Sequence, residues 1–172
     1  MRKLFCRKRH PIHQIIIEAC KQYEIPVEVL ASLIIRESSG NVGASRYEPL
    51  FYHRYIEGKN LPGHVPPNPP RGINLTTERR ARAFSYGLCQ IMGSTAREFG
   101  YDSNNWFDIY DPRINIFLGA KILRAYIDQK KGDVRKGLLR YNGGGDKDYP
   151  NKIFRVVKTG GYKQLWDKQL YV

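Results

Sequence analysis

The sequence predicts a mainly α-helical protein, on three observations. Apolar residues recur at helical spacing, as in Leu30, Leu33 and Ile34 with Glu37 completing the i, i+3, i+4, i+7 pattern. Helix starts and stops bracket such stretches: Asp111-Pro112 and Asp133 open helices, while Gly40, Gly132 and Gly160-Gly161 end them. Strand patterns are scarce, and a hairpin near 84–92 is the one place compatible with them.

The elements follow in order. Ile12, Ile15, Ile16, Cys20 and Tyr23 share one helical face. Pro26 sits where a first turn begins, and a second helix runs Val27–Ser38. Residues 57–74, EGKNLPGHVPPNPPRGIN, read as an irregular excursion within one domain, because motifs on both sides belong together. A short helix is expected over Thr76–Ala83, and Ser94 is expected to cap another that ends near Gly100. Asp111 as cap and Pro112 as first residue open a long helix. Its apolar positions Ile114, Phe117, Leu118, Ile122, Leu123, Tyr126 and Ile127 carry it to Gly132. Asp133 opens a helix to Tyr141, which Asn142-Gly143-Gly144-Gly145 breaks. Pro150 starts the last one, with Ile153, Val156 and Val157 on its apolar side.

The 172 residues fit a single domain over 1–172, with 1–11 as a basic N-terminal segment. A hydrophobic fraction of 41% argues against global disorder. No apolar run reaches the about 20 residues of a membrane helix, so no membrane span is expected. Lys and Arg number 29 against 16 Asp and Glu, a net charge of +13. That excess favours an anionic polymer as partner: nucleic acid, an anionic cell wall or an anionic lipid face. Cys6, Cys20 and Cys89 cannot all pair and lack metal-ligand spacing, so they read as free thiols of a reducing compartment. His10, His13, His53 and His64 are scattered, and neither a metal nor a cofactor is expected. In the opening MRKLFCRKRHPIHQIIIEAC, charges continue to Arg9, His13 and Gln14 interrupt the apolar run, and no cleavage site follows. The expectation is synthesis in the cytoplasm without a signal peptide, so that action outside the inner membrane needs another way out.

Four constellations carry chemistry. Glu37 shares the stripe of Leu30, Leu33 and Ile34, where desolvation raises a carboxyl pKa and keeps a proton available for general acid work. The competing reading is a solvated Glu at a fraying helix end, paired with Arg36. Gly87-Leu88-Cys89-Gln90-Ile91-Met92 is an uncharged run whose Gln90 amide suits a sugar hydroxyl or N-acetyl group in a cleft floor; otherwise it is a buried turn. Tyr141-Asn142-Gly143-Gly144 sets an aromatic and an amide at a helix end, or is simply a helix stop. Arg46-Tyr47-Glu48-Pro49-Leu50-Phe51-Tyr52-His53-Arg54-Tyr55 concentrates aromatics, which stack on sugars as on bases, or pack a long loop onto the core.

Taken jointly and in this order, Arg36-Glu37-Ser38-Ser39-Gly40-Asn41, Tyr86-Gly87-Leu88-Cys89-Gln90-Ile91-Met92 with Ser94-Thr95-Ala96, and Arg140-Tyr141-Asn142-Gly143-Gly144 resemble a known family. It is that of the soluble-type lytic transglycosylases, family 23 glycoside hydrolases with goose-type lysozymes as relatives. The resemblance covers roughly residues 12–157. It implies a lysozyme-like helical domain with a long glycan cleft. The family's catalytic glutamate falls on Glu37, its motif Gln on Gln90 and its motif Tyr on Tyr141, with Asn142, Tyr86 and Met92 beside them as substrate-binding candidates. Cys89 stands where the family usually has Met, a modest change between soft, apolar side chains. The gap between Glu37 and Gly87 is longer than usual and resembles phage-encoded members, in which a second Glu of the tyrosine-rich segment, here Glu48, joins the site, with Tyr47 against the substrate.

The function so implied is cleavage of the β-1,4 bond between N-acetylmuramic acid and N-acetylglucosamine in peptidoglycan, by a phage endolysin or virion-associated lysin acting as a monomer on the periplasmic wall. Nucleic acid is not required. Were Glu48 to hold a water, the outcome would be hydrolysis, as in a lysozyme. A non-catalytic basic wall- or nucleic-acid-binding protein is the remaining alternative, which leaves Glu37 and the GLCQIM run without a role.

Overall fold

A computed structural model describes residues 11–61 and 74–166. Most of the basic N-terminal segment, Cys6, His10, His64 and positions 62–73 of the Pro-rich excursion lie outside the described residues. The architecture is mainly α, as the periodicity predicts. Its helices are α1 (Ile12–Tyr23), α2 (Val27–Ser38), α3 (Pro49–Phe51), α4 (Leu75–Ala81), α5 (Gly93–Glu98), α6 (Pro112–Gln129), α7 (Val134–Tyr141) and α8 (Tyr149–Thr159). The strands β1 (Ser45–Tyr47), β2 (Phe84–Tyr86) and β3 (Ile91–Met92) form one antiparallel sheet in that order.

The centre of the core is α2. Six consecutive residues, Val29 to Ile34, are buried, so the helix is covered all round rather than along one stripe. It packs against α1, α8 and the 3₁₀ turn Gly161–Leu165. A second group forms where α1 and α7 pack on α6. Asp111 caps α6 as expected, its Oδ1 accepting from the Arg113 amide at 2.8 Å and the Ile114 amide at 3.1 Å. Asp133 likewise accepts from the Lys136 amide at the start of α7.

Several expectations need correction. Of the expected apolar positions of α6, Ile122, Leu123 and Ile127 are buried and Phe117, Leu118 and Tyr126 pack against the core, but Ile114 is 40% exposed, and Asn115, Ile116, Gly119 and Ala120 complete the buried face. Ser94 does not cap α5: the helix starts at Gly93, and the Ser94 amide donates to the Arg82 carbonyl at 2.9 Å. β1 escapes the sequence pattern because three exposed residues show no alternation of polarity.

One buried ionic cluster ties the small helices to the sheet region. Glu78 Oε1 accepts from Arg82 Nε and Arg97 Nε, both at 2.9 Å. Its Oε2 accepts from Arg97 at 3.0 Å and from Trp106 Nε1 at 2.9 Å. The Arg97 guanidinium also lies 4.3 Å from the Trp106 ring centre.

Candidate active site

Glu37 occupies the last turn of α2, one residue before Ser38 ends the helix. Ser39 (φ 53°) and Gly40 (φ 72°) then turn the chain away through left-handed conformations. The stripe that carries Glu37 is fully buried at Leu30, Leu33 and Ile34, and Glu37 itself is half-buried where that stripe meets solvent. Burial holds its carboxyl above the usual carboxylate range, opposed by a hydrogen bond from Tyr149 and by the charges of Arg36 and Arg46.

Tyr149, in the first turn of α8 and 2% exposed, donates its hydroxyl to Glu37 Oε1. Burial and the Glu37 carboxyl both push the Tyr149 hydroxyl up, so it stays protonated and keeps a proton to donate to Glu37. Ser38 Oγ donates to the Leu88 carbonyl at 2.8 Å, which joins the end of α2 to the Gly87–Met92 run.

That run is pinned from beneath. The Asn115 side chain, fully buried in α6, accepts from the Cys89 amide at 2.8 Å and donates to the Tyr86 and Ile109 carbonyls at 3.0 Å. Gly87 is required here: its φ is +67°, and a Cβ would stand 2.5 Å from Asn115 Nδ2. Cys89 packs against Gly119, where a Cβ would meet its Sγ at 2.7 Å.

The strand register sorts the predicted site residues between two faces. Arg46, Ser85 and Met92 oppose one another across the sheet, on the face that carries Arg46 toward Glu37. Gln90 sits beside them at φ 46°. Its Nε2 donates to the Ala44 and Gly87 carbonyls at 3.0 and 2.9 Å, and its Oε1 accepts from Ser85 at 2.9 Å. The Gln90 amide therefore braces β1 against the turn, and its spare capacity is the second lone pair of Oε1. Tyr47 and Tyr86 point to the other face, with Tyr47 on Phe84 at 5.1 Å and Tyr86 stacked on Trp106 at 5.5 Å between centroids. There Tyr86 lines an aromatic groove of about 300 Å³ with Phe84, Trp106, Phe107 and Tyr110. The structure thus brings Glu37, Gln90, Met92 and Tyr141 to one region, and sets Tyr47 and Tyr86 apart from it.

Tyr141 donates to the Cys89 carbonyl at 2.9 Å. Together with Gln90, Met92, Thr95 and Tyr126 it lines a small hollow of about 50 Å³. Asn142 closes α7, its Oδ1 accepting from the Asp146 amide at 2.9 Å. Glu48 binds Arg46, with Oε1 2.5 Å from Nε. What raises the Glu37 pKa is burial, not a facing carboxylate. Sequence reasoning missed Tyr149 and Asn115 as parts of this site, and named Arg46 only within the aromatic segment. The available signal for Tyr149 was its position beside Pro150, at a helix start that the pattern already showed. Among the described residues, no three His, Cys, Asp or Glu side chains gather as a metal site, and no helix is long and apolar enough to cross a membrane.

Comparison with known proteins bears on this geometry. The family profile for the Transglycosylase SLT domain matches residues 14–153. A protein described as "Transglycosylase", from Enterobacteria phage PRD1, is 38% identical over 79 residues, covering 41% of this chain. The match takes in 28% of that relative's length, so the chain corresponds to only part of it. No solved structure matches.

Proposed function

As the chain belongs to the Transglycosylase SLT domain family, we propose that it cleaves peptidoglycan by lytic transglycosylation, with Glu37 as the sole acid and base. The target is the β-1,4 bond between N-acetylmuramic acid and N-acetylglucosamine. Glu37 gives its proton to the bridging oxygen as the bond to C1 of the muramic sugar breaks. The resulting carboxylate faces the positive charge that develops at C1. It then takes the proton of the muramic C6 hydroxyl, whose oxygen bonds to C1 and leaves a 1,6-anhydro end. One proton leaves Glu37 and one returns, and no water is consumed.

The observation that carries this reading is the half-buried Glu37 with a raised pKa, held through Oε1 by the Tyr149 hydroxyl. A carboxylic acid that keeps its proton toward neutral pH suits general acid catalysis. With Oε1 engaged, Oε2 carries the transferred proton. Gln90 and Tyr141 shape the cleft floor through their bonds to backbone carbonyls, and Met92 lines it. Glu48 tunes the site through Arg46 rather than holding a hydrolytic water, which favours transglycosylation over the lysozyme reaction.

In the same reading 1–172 is one catalytic domain of the extended phage type. It works as a monomer, made in the cytoplasm and released onto the periplasmic wall as an endolysin or carried by a virion. Its net charge of +13 favours association with a wall rich in carboxylates. The test is mass spectrometry of products released from purified sacculi. Anhydromuramic ends are expected, and they should vanish in Glu37→Gln. Reducing muramic ends would assign the lysozyme reaction instead, and no release would remove the enzymatic reading.

A further inference from the structure

A groove of about 460 Å³ lies beside the turn after α7, lined by Lys130, Lys136, Leu139, Arg140, Gly143 and Gly144. Three exposed cations meet around one concavity. One carboxylate, Asp133, sits 3.0 Å from Lys136 and offsets part of that charge. Like charges gathered round a hollow make its potential positive, and a concave wall strengthens the field that draws an anion in. Gly143 (φ 72°) and Gly144 (φ 77°) keep the turn open, with nothing within 4 Å of where a side chain would begin.

The groove adjoins the glycan region through a single ring. The Arg140 guanidinium lies 4.9 Å from the centre of the Tyr126 ring. Tyr126 in turn stands edge-on to Tyr141 at 6.5 Å and lines the hollow that holds Gln90 and Met92. Arg140 and Tyr126 are thus the neighbours that set the groove beside that hollow. Leu139 gives the groove an apolar patch among its charges. The matching ligand is a short peptide with several carboxylates and small apolar side chains.

We propose that this groove binds the carboxylates of the stem peptide carried by the muramic sugar, so that the enzyme reads peptide and glycan together. The proposal rests on the peptidoglycan reading above, and its test separates the two. In the first arm, the free tripeptide L-alanyl-γ-D-glutamyl-diaminopimelate is titrated into the whole chain and followed by amide chemical shifts. The Gly143 and Gly144 amides should move, and Lys130→Gln/Lys136→Gln should abolish the movement. No shift at those amides, or an equal response to acetate, inorganic phosphate or an oligonucleotide, would overturn the proposal whether or not the chain is an enzyme. In the second arm, kcat/KM is compared on glycan strands with stem peptides and on strands stripped of them by an amidase. Wild type should prefer the peptide-bearing strands about fivefold through KM, as expected for a few partly exposed ion pairs. The double variant should bring the ratio to about one. A ratio left unchanged by that variant would overturn the proposal while leaving the glycan chemistry of Glu37 standing.

Discussion

Tyr149 donates its hydroxyl to Glu37 Oε1 across 112 residues of chain, joining the end of α2 to the start of α8. The bond fixes the rotamer of a carboxyl whose mobility would blur the direction of proton transfer. It also favours the charged form of Glu37, against the effect of burial. Tyr149→Phe removes that stabilisation and leaves the packing of the ring. The alkaline limb of the kcat/KM profile should move to higher pH, because Glu37 keeps its proton longer. Turnover at the optimum should fall by roughly tenfold, about 1.4 kcal/mol in barrier, since the carboxylate is less well placed for the returning proton. An unchanged pH profile would show that the hydroxyl does not act on Glu37.

Much of this was legible in the chain, and the exceptions share one cause. The start of α1, all of α2 and the Asp caps of α6 and α7 depend on neighbours within a turn, so spacing reveals them. Glu37 announced itself because a carboxylate continued a stripe of aliphatics. Tyr149, Asn115 and Arg46 depend on partners tens of residues away: Glu37, the Cys89 amide and the sheet register. No local period encodes such meetings. The same limit explains Tyr47 and Tyr86, whose residue type suits a sugar but whose strand parity turns Tyr86 to the aromatic groove and Tyr47 onto Phe84.

The elevation of Glu37 has a cost in stability. Its folded pKa lies above the unfolded value of about 4.3, so the native state binds more protons in the window above that pH. Stability therefore falls as pH rises through the window. Glu37→Gln removes the titration. Its Tm should match wild type near pH 4 and exceed it at pH 8. The same variant should lose at least about 100-fold in wall cleavage, because the amide cannot supply a proton. Equal Tm differences at both pH values would mean that Glu37 titrates normally.

Glu48 and Arg46 form a second unit, and a double-mutant cycle separates their roles. Arg46→Gln removes a positive charge that favours ionised Glu37, so the alkaline limb should rise. Glu48→Gln alone should change turnover by less than about threefold, as expected for a largely exposed ion pair. In the Arg46→Gln background it should add almost nothing. A tenfold loss on Glu48→Gln in that background would put Glu48 in direct contact with the reaction and revive hydrolysis.

The Glu78 cluster governs stability rather than chemistry. Burial disfavours the Glu78 charge, but the bonds from Arg97, Arg82 and Trp106 outweigh it and hold the carboxyl below its usual range. The native state thus binds fewer protons than the unfolded chain in the acid range. This contribution is present above the unfolded pKa of about 4.3 and is lost as pH falls through the lowered folded value. Glu78→Gln leaves the guanidinium groups of Arg82 and Arg97, 0% and 1% exposed, without their carboxylate. Removing one partner of a buried ionic cluster costs about 3–5 kcal/mol, so the variant should unfold at much lower denaturant concentration at pH 7. The difference from wild type should shrink as pH falls below the unfolded value and Glu78 itself protonates. A loss independent of pH would point to packing of the cluster, and not its charge, as the source of its stability.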